Sequence, residues 1–97
     1  MTVYSATKIA LRKMAAELEI KLDLDKVVFQ GGKDPGGWSS ITSLVCIIHE
    51  GTGLPNEYNY LDPFGWWIRL GEEVSELSGK KVFFEAVNSC VSVGYKA

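Results

Sequence analysis

The chain of 97 residues has little of what small secreted or metal-dependent domains rely on: it contains two cysteines, one histidine and three prolines. Small secreted domains are usually dense in disulfides, so this cysteine count favours a fold built on a hydrophobic core in a reducing compartment. Cys46 lies between Val45 and Ile47, and Cys90 lies between Ser89 and Val91; we expect both to be buried thiols. A single bridge between them stays open if their strands are neighbours.

A long hydrophobic run is also absent. The longest unbroken run is the five residues Leu44–Ile48, whereas a membrane-spanning helix needs about 20 apolar residues. The first residues lack the basic and then apolar pattern of a secretory signal. We therefore expect one compact domain over residues 1–97 of a cytoplasmic bacterial protein, with no membrane contact.

The chain has no excess of basic charge. Its 12 acidic and 10 basic side chains give a formal charge of -2, and a nucleic-acid-binding protein would be expected to show a basic stripe. We therefore predict no nucleic-acid partner. The acidic residues are concentrated in residues 34–78, which contain seven acidic side chains and one basic side chain, between two flanks that are each net positive.

No motif predicts a cofactor or a metal. His49 and Glu50 do not form the H-E-x-x-H zinc motif, because Gly53 stands in place of the second histidine. Cys46 and His49 have a spacing seen in metal sites, but no second pair accompanies them. The glycine-rich segment 31–37 does not match a phosphate-binding loop, because Gly37 stands at the position of its lysine and Trp38 at the position of its serine or threonine. The segment is predicted to be a turn.

One helix dominates the predicted secondary structure. It starts from a cap at Ser5 or Thr7 and runs to about Leu22. Apolar residues recur along it at three- and four-residue spacing, namely Leu11, Met14, Ala15, Leu18 and Leu22. One apolar stripe must therefore be buried against the rest of the chain.

The rest of the chain predicts mainly strands. Residues 27–30 form a first strand, and residues 39–50 fit either a helix or a strand, of which the β-branched composition favours the strand. Residues 66–70 alternate as a strand, with one or two helical turns after them that end at Gly79. Strands at 82–87 and 90–95 form a C-terminal hairpin. The predicted fold class is α+β, with an N-terminal amphipathic helix packed on a small, mainly antiparallel, curved β-sheet.

Aromatic and acidic residues coincide around a long predicted loop at residues 51–65. Aromatic faces attract cations and carboxylates add opposite charge, so this composition suits an organic cation or a basic protein surface. We therefore predict a binding site formed by Glu57, Tyr58, Tyr60, Asp62, Trp66 and Trp67. The alternative is that the aromatic residues are core and the acids are solvated.

These patterns suggest three functions. The first is a small non-catalytic binding or regulatory protein that holds a cationic small molecule or a partner protein through the acidic and aromatic segment. The second is a small enzyme that uses Cys46 and His49 with Glu50 or Asp62, which requires the helical alternative at 39–50, because a strand turns positions 46 and 49 to opposite faces.

The third is a structural or inhibitory subunit that docks through an exposed apolar sheet face. Apolar residues occur on both faces of the predicted strands, and one helix covers only one face of a sheet. This surplus predicts a homodimer, since twofold assemblies are the commonest outcome.

Overall fold

The computed structural model describes residues 1–33, 40–54, 66–87 and 90–96, with only the backbone of Trp66, Trp67 and Val87. Its elements are α1 (Val3–Leu18), a 3-10 turn (Leu24–Lys26), β1 (Val27–Phe29), β2 (Ser43–Ile48), α2 (Trp66–Ser78), β3 (Val82–Val87) and β4 (Cys90–Tyr95). The predicted α+β class, the N-terminal helix and the C-terminal hairpin are confirmed. Of the two predicted loops, 31–37 and 51–65, residues 34–37 and 55–65 lie outside the described residues.

The described strands form one antiparallel sheet in the order β1-β2-β4-β3. The sheet is open, with β1 and β3 at its edges. The ambiguous segment 39–50 contains β2, so the favoured interpretation as a strand is confirmed. This strand lies at the centre of the sheet between β1 and β4, which explains why it is apolar on both faces.

A β-bulge at Val45 changes which side chains of β2 share a face. The register shifts between Leu44 and Cys46, so one residue has no partner on β4. An unpaired residue of this kind reverses the usual alternation. As a result Leu44 and Ile47 belong to one buried cluster, while Cys46 and Ile48 belong to another.

The helix-side face of the sheet, which includes Cys46 and Ile48, is covered by both helices. The buried core there combines small and large residues of the helices with strand residues, namely Ala6, Ala10, Leu11, Leu70 and Val74 against Val27, Cys46, Ile48, Val91 and Val93. Alanines let α1 approach the sheet closely, because they place no bulky side chain between helix and strand. Among the described residues no helix has the length and apolar character of a membrane span.

The opposite face of the sheet, here the second face, contains a smaller cluster of Ile41, Leu44 and Ile47, all buried. The chain just before β2 crosses over this face. The Ser40 N–H donates to Glu85 Oε1 of β3 at 2.8 Å, and a Cβ at Gly94 of β4 would lie only 2.6 Å from Ile41 Cγ2. Ile41, Leu44 and Ile47 are therefore buried within one chain and do not need a second copy to cover them. Homodimerisation stays a prediction.

The first helix differs from its predicted bounds at both ends. Thr2 is its N-cap, with a side-chain oxygen that accepts from the Ser5 N–H at 3.1 Å. Glu19 ends it in the left-handed conformation, with φ 54°, and donates its N–H to Ala15 O. The helix therefore stops one turn before Leu22, because the cap bonds take up the last carbonyl groups.

The strand predicted at 66–70 is wrong, because these residues begin α2. Leu70 and Val74 are buried and Leu77 packs beside them, a spacing of four and three residues that only a helix places on one side. Gly79, with φ 74°, ends the helix in a left-handed conformation. The two predicted helical turns before Gly79 are confirmed as the second half of a longer helix.

Candidate functional site

A groove lies between α2 and the edge strand β3. Its volume is about 620 Å³, within the roughly 300–1,000 Å³ of small-molecule sites. The chain runs along α2 and returns along β3, which follows α2 in the sequence. The groove is lined mainly by apolar residues, namely Ile68, Gly71, Val82, Phe84, Ala86 and Val91.

Local sequence explains how the groove forms. The Val82 N–H donates to Ser75 Oγ at 2.9 Å, which ties the second half of α2 to the start of β3. Gly71 lies one turn earlier, and a Cβ there would lie 3.7 Å from Val82 O and 3.8 Å from Phe84 Cδ1. Because glycine has no side chain, open space remains between the helix and the strand at this point.

Among the described residues, two charged side chains line the groove, Glu72 and Lys81. The Lys81 ammonium lies 5.6 Å from the centroid of the Phe83 ring, a cation–π contact. Glu72 is exposed and makes no ion pair within the described part of the chain. The carboxylate at Glu72 is therefore the group available to a positively charged ligand.

Its neighbour on α2, Glu73, has a different role. Glu73 Oε1 lies 3.1 Å from Lys13 Nζ, an ion pair between α1 and α2. The hydrogen bond to Glu73 raises the pKa of Lys13, and the negative charge of Glu73 adds to the effect. Glu73 therefore links α2 to α1, whereas the adjacent Glu72 lines the groove.

The predicted acidic and aromatic site is only partly described. Glu57, Tyr58, Tyr60 and Asp62 lie outside the described residues. Trp66 and Trp67 are the first two residues of α2, directly before Ile68, which is half exposed and lines the groove. The predicted segment therefore leads by chain connection into the helix that forms one wall of the groove.

The structure separates Cys46 from His49. Cys46 belongs to the core of the helix-side face and is fully buried. Burial raises the pKa of its thiol to about 12, against smaller opposing effects of the Thr7 hydroxyl and the Lys8 charge. A thiol protonated at neutral pH is a poor nucleophile, so the enzyme hypothesis loses the cysteine on which it depends.

His49 has another thiol as its neighbour. Cys90 Sγ lies 3.5 Å from His49 Nδ1, and both residues are partly buried. Sequence reasoning missed this pair, because it arises from the pairing of β2 with β4, which are far apart in the chain. The hairpin alone places Cys90 beside Val87 and does not indicate which strand lies on its other side.

The possible bridge between the two cysteines does not form. Both cysteines are free. The strands β2 and β4 are neighbours, as the bridge required, but Cys46 is paired with Val93 and belongs to the helix-side core, whereas Cys90 packs against the cluster on the second face. The described residues contain no group of three or more histidine, cysteine or acidic side chains that could hold a metal ion.

Comparisons with known proteins do not assign a function. No protein family, no curated protein and no solved structure matches this chain. A function can therefore be inferred only from the geometry of the molecule, above all from the groove and from the Cys90–His49 pair.

Proposed function

We propose that this protein is a small non-catalytic binding protein whose groove between α2 and β3 holds a ligand with a positive charge on an apolar body. The observation that supports the proposal most is the groove itself, an apolar space of about 620 Å³ with the Glu72 carboxylate in its lining. Apolar walls supply most of the contact area in small-molecule sites, and a few polar groups orient the ligand.

The charge distribution supports the same ligand class. Residues 34–78 include seven of the 12 acidic residues of the chain, and α2 belongs to this segment. Glu57, Tyr58, Tyr60 and Asp62, with Trp66 and Trp67, would add aromatic surface and negative charge where the chain enters α2. The ligand is then an organic cation or a basic, apolar side chain of a partner protein.

The other two functions have less support. An enzyme that uses Cys46 and His49 is disfavoured by the buried, protonated Cys46 thiol. A subunit that docks through an apolar sheet face is disfavoured at Ile41, Leu44 and Ile47, which are already buried.

The test uses three probes of similar shape and different charge: benzyltrimethylammonium, benzyl alcohol and phenylacetate. We expect the cation to bind more tightly than the other two in a calorimetric titration. Glu72→Gln should weaken binding of the cation by about fivefold, the scale of one exposed ion pair. Glu76→Gln removes the same charge from the same helix outside the groove lining and should leave the affinity unchanged.

A second variant tests the place of binding independently of charge. Gly71→Leu fills the groove with a good helix former, so α2 should remain helical in circular dichroism while the probe no longer binds. Equal affinity of Gly71→Leu and wild type would show that the groove is not the site. In that case Glu57→Gln with Asp62→Asn tests the acidic segment directly.

A further inference from the structure

Cys90 and His49 are held together by the sheet. His49 follows the end of β2 and Cys90 begins β4, one position beyond the pair Ile48 and Val91. The His49 N–H donates to Lys26 O at 2.8 Å, and Thr52 Oγ1 donates to His49 O at 3.2 Å. Both backbone groups of His49 are thus bonded, and its Nδ1 lies 3.5 Å from Cys90 Sγ.

This arrangement contains the two parts that thiol chemistry requires. A thiol reacts as its thiolate, and an adjacent imidazole can take up the proton. Cys90 and His49 are both only partly buried, so a small reagent has access to the sulfur. The other cysteine offers neither feature, since Cys46 is fully buried and its nearest hydrogen-bonding group is the Thr7 hydroxyl.

We propose that Cys90, with His49 as its base, is a site of thiol–disulfide exchange with low-molecular-weight disulfides. The Cys90 thiol gives its proton to His49 Nδ1, and the thiolate attacks one sulfur of the disulfide R–S–S–R. The bond between the two sulfurs of the reagent breaks as the new Cys90 S–S bond forms. The leaving thiolate takes the proton from the imidazolium and departs as RSH, so that Cys90 is oxidised and the departing half of the reagent is reduced.

The mixed disulfide should persist within one chain. Resolution would require a second thiol that reaches the Cys90 sulfur, and Cys46 lies in the core on the opposite face of the sheet. The product is therefore a capped Cys90 and not an internal bridge. A cap at this position would lie beside the cluster of Ile41, Leu44 and Ile47, against which Cys90 packs, on the side of the sheet away from both helices.

Three charged residues of the described part of the chain are placed near the pair by sequence or by strand pairing. Lys26 precedes β1 and accepts the His49 N–H through its backbone carbonyl, Glu50 follows His49 in the chain, and strand alternation places Glu85 of β3 on the second face. Lys26 and Glu50 are both exposed. His49 is the one described group in hydrogen-bonding distance of the Cys90 sulfur, so it is the group whose removal the test examines.

The first experiment compares the two cysteines in the native protein. Glutathione disulfide is added at pH 7, and the adduct at each cysteine is followed by mass spectrometry of peptides, with protein unfolded in guanidinium as the reference in which both thiols are accessible. We expect Cys90 to be modified at least about a hundredfold faster than Cys46, because burial and protonation both protect Cys46. Equal rates in the native protein would overturn the proposal.

The second experiment removes the base. His49→Asn keeps a polar atom near the position of Nδ1 but cannot take up a proton at neutral pH, and it should slow modification of Cys90 at pH 7 by about tenfold. The difference in rate between the wild type and this variant should shrink as the pH is raised, because hydroxide then removes the thiol proton without an internal base.

Two readouts separate a base from a structural residue. Circular dichroism reports whether His49→Asn is folded, and the rates at neutral and at high pH report whether the deficit shrinks. A folded variant that reacts as fast as the wild type at pH 7 would overturn the role of His49. Should the variant fail to fold, the comparison of Cys90 with Cys46 in the wild type still decides, since equal rates contradict the proposal. None of these outcomes depends on ligand binding in the groove.

Discussion

The two faces of the sheet are covered in different ways. Two helices cover the helix-side face, where a large apolar core includes Cys46. A segment of chain that approaches β2 passes over the second face, which has a small core and also contains the His49–Cys90 pair. The comparison shows that burial decides the reactivity of each cysteine. Burial on the helix-side face keeps the Cys46 thiol protonated, whereas Cys90 on the second face is only partly buried.

The largest predicted effect tests the cover of the second face. A Cβ at Gly94 would clash with Ser43 O and lie 3.1 Å from Leu44 Cα, and backbone atoms of a central strand have no room to move. Gly94→Ala should therefore lower the free energy of unfolding by about 3 kcal/mol, as overpacking does in a close-packed core. Chemical denaturation monitored by circular dichroism measures this loss.

The matched control is Gly31→Ala. A Cβ at Gly31 meets nothing within 4 Å, so this variant should unfold within about 0.5 kcal/mol of the wild type. If Gly94→Ala were as stable as Gly31→Ala, the close passage of the chain over the second face would be incorrect.

The second prediction concerns the helix-side face and pH. The Cys46 thiol has a folded-state pKa of about 12, raised by burial from its ordinary value of 9.0. The unfolded chain therefore loses this proton first as pH rises, so the stabilisation is fully present below pH 9 and is lost between pH 9 and 12. One proton gives a slope of at most about 1.4 kcal/mol per pH unit.

Variants of the two cysteines isolate this contribution. Urea denaturation of wild type and Cys46→Ala at pH 7, 9 and 10 should show that the difference in unfolding free energy between them shrinks above pH 9. Cys90→Ser keeps Cys46 and should retain the wild-type decline. A constant difference between wild type and Cys46→Ala across this range would contradict the burial assigned to Cys46.

Local patterns predicted much of this fold, and non-local pairing explains the rest. The alternation in β3 and β4 is a property of neighbouring residues and was confirmed. The apolar stripe of α1 was confirmed at Leu11, Met14 and Ala15, whereas Leu18 is exposed and Leu22 lies beyond the end of the helix. The bulge at Val45 and the pairing of β2 with β4 depend on contacts between distant segments. Sequence reasoning therefore missed the His49–Cys90 pair.

The error at residues 66–70 has a local cause. Strand spacing places Trp66, Ile68 and Leu70 on one face and Trp67 and Arg69 on the other, and Gly71 interrupts the apolar pattern before Val74 and Leu77. The spacing of Leu70, Val74 and Leu77 is helical, and the helix buries Leu70 in the core. The groove could not be predicted for the same reason, since it requires α2 as one of its walls.

The smallest predicted effect concerns how α1 ends on the helix-side face. Glu19 has φ 54° and is exposed, so its side chain contributes little while its backbone adopts a conformation that glycine enters more easily. Glu19→Gly should raise the free energy of unfolding by about 1 kcal/mol. Glu17→Gly, two residues earlier in the regular part of α1, should lower it by a similar amount, about 1 kcal/mol, because glycine is unfavourable inside a helix. Thermal unfolding of both variants gives the signs directly. If Glu19→Gly raises and Glu17→Gly lowers the free energy of unfolding, α1 ends at Glu19. If both variants lose stability, the helix instead continues toward Leu22, where the apolar pattern of the sequence alone places its end.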